Sequence, residues 1–151
     1  MDTLTPSARP GVDSFVLEDL ILLQRRLSRQ VSTALAEDGA TVDAWRLLRL
    51  LADGVPRQMG EIARSLCMPD ASATRLVGGL AERSLLYRRQ SEQDRRRISV
   101  NLSRLGGSRL ERWDAIVQAH QDALLTSPAW SSVQTGLHRL LTDEAAEGPA
   151  S

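Results

Sequence analysis

The sequence predicts a mainly α protein with one small β-hairpin, and three observations predict it. After Asp70 and Ser72, both good helix-start residues, Ala73, Leu76, Val77 and Leu80 repeat at helical spacing and make one apolar face. Ala71, Thr74, Arg75, Gly78 and Glu82 fall on the opposite face. Two extended runs follow at once, residues 85–90 and 97–102, joined by a polar turn over 91–96. Finally, both ends of the chain carry apolar stripes at helical spacing that one small lobe cannot cover. A short helix leading into a hairpin with an arginine-rich tip is a winged helix-turn-helix pattern, flanked here by N- and C-terminal dimerisation helices. Such a helix is the right width for a DNA major groove, and the hairpin can reach the adjacent minor groove.

Taken in order, residues 1–12 are polar, with two prolines and a glycine, and read as a loose N-terminal arm. Asp13 or Ser14 can cap a long helix running to about Asp38, where Gly39 stops it. Its stripe of Leu20, Leu23, Leu27, Val31 and Leu35 is too long for its own short neighbours to bury, so residues 13–40 read as a dimerisation helix. Thr41 caps a second helix over 42–52, and Trp45, Leu47, Leu48, Leu50 and Leu51 surround it on most sides, as in a buried central helix. Pro56 and Arg57 break that pattern and can supply a minimal strand. A third helix near 59–66 turns Ile62, Ala63 and Leu66 inward, and 67–69 is the turn of a helix-turn-helix. Residues 41–102 thus form the winged unit. Ser103 can cap a fifth helix, with Leu110, Trp113, Val117, His120 and Leu124 on one face. Pro128 suits the first position of a sixth, where Trp130, Val133, Leu137, Leu140 and Leu141 follow at helical spacing. Residues 103–147 read as C-terminal dimerisation helices.

The length of 151 residues fits one domain, and 42% hydrophobic residues suffice for a core, but with only 3% aromatics that core must be mostly Leu, Val, Ile and Ala. No apolar run approaches a membrane span and Met1 to Pro10 lacks a basic-then-apolar leader layout, so a cytoplasmic protein is expected. Net charge is zero, yet the charge is unevenly spread. Arg57 to Arg112 holds twelve Arg against six acidic residues, and the remainder seven against thirteen. That asymmetry suggests one face meant for phosphates. Cys67 is the only cysteine, which excludes an intrachain disulfide and a cysteine zinc cluster. His120 and His138 lie apart with no carboxylate pattern that makes a metal site, and no cofactor is expected.

The run EIARSLCMPDASATRLVGGLAERSLLYRR, followed by DRRRISVNLSRLG, resembles the multiple antibiotic resistance regulator (MarR) family. Its most specific piece is Asp94-x-Arg96, then Leu102-Ser103 where the family has Leu-Thr, with Gly106 just inside the next helix. The resemblance covers about Thr41 to Arg112. It implies a triangular homodimer with two DNA-reading lobes, an inverted-repeat operator in double-stranded DNA, and a small aromatic or phenolic effector between the dimer helices and the DNA lobe. Two departures stand out. Gly78-Gly79 occupies positions where the family usually has a larger, often charged residue, and Ser84 replaces the glycine often found at the helix end.

Arg75 points outward beside Ser72 and Thr74. Arginine can grip guanine bidentately or hold a phosphate, and Ser and Thr bind either. An isolated arginine would be a solvated helix residue, but at a position matching a family DNA contact the DNA role outweighs it. Arg95 and Arg96 sit at the wing tip, and a narrow minor groove attracts arginine. Asp94 carries the wrong charge for DNA; the resemblance implies that it pairs with Arg96 and orients it. Arg88, Arg89 and Arg97 flank the wing, and alternation leaves open which of them face phosphates. For Arg57 and Gln58, before the third helix, DNA-backbone contact and plain solvation are equally good accounts. Cys67 reads as a buried structural thiol rather than a redox sensor, His120 as a core or interface residue, and Trp45, Trp113 and Trp130 as core, with one of them a candidate pocket wall.

Three functions compete. The first is a homodimeric transcription factor, a repressor released by a small ligand, with a redox-sensing regulator using Cys67 as a variant. The second is an enzyme, for which the chain offers neither a nucleophile–base pair nor a metal cluster nor a phosphate loop. The third is a winged-helix protein-interaction module with weakened DNA binding, which the glycine pair favours and the concentration of arginine opposes. The first is expected, and no enzyme.

Overall fold

Thr41 opens the helix against which most of the others pack: its hydroxyl oxygen accepts a hydrogen bond from the Ala44 amide at 3.1 Å, closing one of the orphan donors of a helix start. In the computed structural model, which describes residues 15–90 and 98–146, the elements in chain order are α1 (Val16–Ala36), α2 (Val42–Leu51), β1 (Arg57–Gln58), α3 (Met59–Leu66), α4 (Asp70–Glu82), β2 (Leu86–Gln90), β3 (Ile98–Leu102), α5 (Arg104–Leu125) and α6 (Pro128–Ala146). The fold is mainly helical with one three-stranded antiparallel sheet in the order β1-β3-β2. The expected minimal strand at Arg57 is therefore real: Arg57 pairs with Val100 and Gln58 with Ser99.

The core is aliphatic, as the composition requires. Leu35, Leu47, Leu48, Leu51, Ile62, Val77, Leu86 and Val100 are fully buried, with Trp113 the one aromatic among them. Each such side chain contributes roughly 1.5–3 kcal/mol by leaving water. α2 is less enclosed than its leucines suggest: Asp43 and Arg49 are exposed, and Trp45 and Leu50 only half-buried. α1 ends at Ala36, two residues before the expected stop, and Gly39 takes φ +68° in the turn that follows. The proposed caps Asp13 and Ser14 lie outside the described residues.

The burial of the α1 stripe falls steadily toward the N-terminus. Leu35 is 0% exposed, Val31, Leu27 and Leu23 are half-buried, and Leu20 is 44% exposed. Val16, Leu17, Ile21 and Leu22 are exposed as well, as are Leu137, Leu140 and Leu141 of α6.

Two carboxylates tie the outer helices to the centre. Asp38, with its side chain 7% exposed, accepts from Trp113 Nε1 at 2.8 Å and pairs with Arg112 at 2.6 Å. Asp114 accepts from Trp45 Nε1 at 2.7 Å and from Arg49 at 3.0 Å. Trp113, Arg112 and Asp114 all lie on α5, so the turn after α1 and the middle of α2 are each bolted to it.

The start of α5 is latched onto the end of α4. Ser103 donates through its hydroxyl to the Ser84 carbonyl at 2.7 Å while accepting from the Gly106 amide at 2.8 Å. Its own amide donates to the Leu85 carbonyl at 3.1 Å. A Cβ on Gly106 would overlap that same carbonyl oxygen and come within 2.8 Å of Leu102 Cδ1. Glycine is required there by close approach, not by backbone angle. Ser84 has φ +59°, a left-handed conformation that costs a non-glycine residue roughly 1–2 kcal/mol, so the replaced glycine is the residue this turn prefers.

Candidate nucleic-acid interface

α4 turns Ala73, Val77 and Leu80 into the core and leaves Ala71, Thr74, Arg75 and Glu82 exposed. The two faces divide as the sequence pattern predicts. Pro69 is the cap, its carbonyl accepting from the Ser72 and Ala73 amides. Asp70 is the first helical residue, where its charge suits the helix dipole. Ser72 is half-buried. Arg75 reaches back to its hydroxyl at 3.5 Å, a long contact that aligns the guanidinium without neutralising it. Thr74 donates to the Asp70 carbonyl at 2.9 Å, which leaves its oxygen free to accept. Among the described residues no carboxylate pairs with Arg75, so its charge faces solvent.

Arg57 is differently placed. Its two terminal nitrogens grip both oxygens of Asp53, at 2.8 and 2.6 Å, and one of them also donates to the Val55 carbonyl at 3.1 Å. Asp53 further accepts from the Val55 amide. The Arg57 guanidinium, followed by the Val55 hydrogen bond, holds the Asp53 carboxyl well below the usual carboxylate range. Arg57 therefore fastens the turn that leads into β1.

β2 and β3 pair from Leu86↔Leu102 to Gln90↔Ile98. The alternation that sequence left open is resolved for two of the three arginines: Arg88, opposite Val100, shares a side with buried Leu86, whereas Arg89 shares the other with Tyr87. The wing-tip residues Asp94, Arg95 and Arg96, with Arg97, lie outside the described residues.

Cys67 corrects the reading of a buried thiol. It caps α3 in a left-handed conformation, φ +53°, and is exposed. Ile62, Ala63 and Leu66 fill the inner face of α3, and the left-handed residue carries its side chain out of it.

Of the three indoles read as core with one a candidate pocket wall, Trp45 is the one that lines a cleft. The half-buried indole borders an apolar cleft of about 770 Å³ between α1, α2, α5 and α6, beside Leu23, Leu27, Val31, Val117 and Leu137. Its ring nitrogen is held by Asp114, and Arg49 lies 5.6 Å above the ring. The signal available was an indole on a helix whose other large apolar side chains are all leucine.

The MarR family model matches residues 38–97. The HTH-type transcriptional repressor YetL of Bacillus subtilis is 27% identical over 108 residues, or 68% of this chain; the chain spans 65% of that relative's length. Among solved structures, the transcriptional regulator BldR from Sulfolobus solfataricus has a TM-score of 0.78 at 16% identity, covering 89% of this chain and 99% of that one. BpsR of Bordetella bronchiseptica, whose structure addresses regulation of its DNA binding by 6-hydroxynicotinic acid, has a TM-score of 0.75 at 17% identity, with 90% and 99% covered. At such identities the two structures establish a shared fold.

Proposed function

We propose that the chain, whose residues 38–97 match the MarR family model, acts as a homodimeric transcriptional repressor of that family, released from DNA by a small ligand. The observation that carries the reading is the exposed Thr74–Arg75 face of α4, held in place by Ala73, Val77 and Leu80 buried behind it. In this reading Ser72, Thr74 and Arg75 meet the major groove of double-stranded DNA, and Arg95 and Arg96 reach the minor groove with Asp94 orienting Arg96. Arg57 meets phosphate only in competition with Asp53.

The outer half of α1 and the exposed leucines of α6 are the surfaces that a second copy would cover. The cleft beside Trp45 is the site for an aromatic or phenolic effector, since it is lined mainly by aliphatic side chains and one indole. The likeness to YetL, a repressor, supports repression, and the likeness to BpsR, whose DNA binding 6-hydroxynicotinic acid regulates, supports control by an aromatic acid. A gel shift on the DNA upstream of its own gene, with random DNA as competitor, tests the reading. A shift that survives the competitor is expected; no shift at low salt would leave a winged-helix interaction module instead.

A further inference from the structure

The glycine pair leaves a gap in the outward half of α4, and its two members are not equivalent. A Cβ at Gly79 would meet nothing within 4 Å, whereas one at Gly78 would lie 3.7 Å from Arg88 Nη2. Strand alternation explains the approach: Arg88 is on the side of β2 that holds Leu86 in the core, so its side chain leaves the sheet toward the helix. Gly78 follows Thr74 by four residues and Arg75 by three, which puts all three on one helical face. Arg88 is exposed, and among the described residues no hydrogen bond or ion pair engages it.

We propose that Arg88 is a DNA-specificity residue, borne by the strand but laid over the reading helix, and that Gly78 is the seat that admits it. The guanidinium takes the place of the side chain that α4 lacks at this position. It joins the fork of Arg75 on the same surface, where a planar bidentate donor can meet guanine O6 and N7. A bulkier residue at Gly78 would occupy the space and push the guanidinium away. The glycine pair thus transfers readout from helix to strand instead of abolishing it. The inference rests on the reading of α4 as the DNA-facing helix.

Selection from a random-sequence duplex library separates the two. The full chain, Arg88→Ala, Arg88→Lys and Gly78→Gln are each used to enrich duplexes, and each is titrated against the duplex the wild type recovers and against a scrambled one. Melting curves check folding. The wild type is expected to recover a defined site. Arg88→Ala should lose preference at one base pair per half-site, weakening specific binding by roughly 5- to 150-fold, with a smaller loss on the scrambled duplex. Arg88→Lys should not restore that preference, because an ammonium lacks the fork. Gly78→Gln should lose it at the same base pair, and decides the matter alone if Arg88→Ala fails to fold. A wild type that recovers a site while the variants keep every base preference overturns the inference and leaves the DNA reading intact. Equal losses on both duplexes make Arg88 a phosphate contact and overturn it likewise. A wild type that recovers no site overturns both.

Discussion

Arg75 combines exposure, a place on the outward face of α4 and, among the described residues, no paired carboxylate, and those three properties together suit it to a base contact. Arg75→Ala should leave the melting temperature nearly unchanged and cost roughly 1–3 kcal/mol of specific DNA affinity, read by titration against specific and random duplexes. Equal loss on both would reassign the residue to phosphate. Asp53 makes a prediction of the opposite kind, about stability alone. Its folded carboxyl titrates below the ordinary range because Arg57 and the Val55 amide favour the anion. A depressed folded value means that its contribution is present at neutral pH and is lost as pH falls below the normal carboxylate range. Asp53→Asn should therefore melt slightly lower than the wild type at pH 7, the small gap expected of an exposed pair, and the two curves should converge in acid. A gap that widens in acid would contradict the assignment. The exposed face of α4 is legible from periodicity. The pairing of Arg57 is not, because a bidentate grip between residues four apart in a turn leaves no repeating pattern.

Among the elements, the junction between the sheet and α5 depends on one absent atom. At Gly106 any Cβ meets the Leu85 carbonyl, which the Ser103 amide already uses. Gly106→Ala should destabilise the fold by about 1–3 kcal/mol, the usual cost of overpacking, read by thermal or urea unfolding; an unchanged stability would show that the latch yields freely. Ser103 as cap, the span of α3 and the minimal strand at Arg57 are all readable from local chemistry, since each rests on signals a few residues apart. The carboxylate–indole bolts are not. Asp38 and Trp113 are 75 residues apart, and Trp45 and Asp114 are 69, so only the packed helices reveal them. The side chain of Cys67 departs from expectation for a related reason. Composition favours burial of a lone cysteine, but the left-handed cap it occupies turns it outward.

At the scale of the whole molecule, the gradient of burial along α1 and the split of charge between segments point the same way. The apolar ends of α1 and α6 suit a second copy, and the arginine-rich middle suits phosphates. Sedimentation at micromolar concentration should give twice the chain mass; a stable monomer would remove the homodimer. Ligand control makes its own prediction. An aromatic acid or phenol seated beside Trp45 should quench the emission of the wild type but not that of Trp45→Phe, and should release bound DNA at the same concentrations. If two copies read DNA together, hydroxyl-radical footprinting on the recovered duplex will show it. Two-fold symmetry predicts two equivalent protected patches whose centres lie about one helical turn, ~10 base pairs, apart or a multiple of that. A single unsymmetrical patch, or uniform protection that does not depend on sequence, would contradict it.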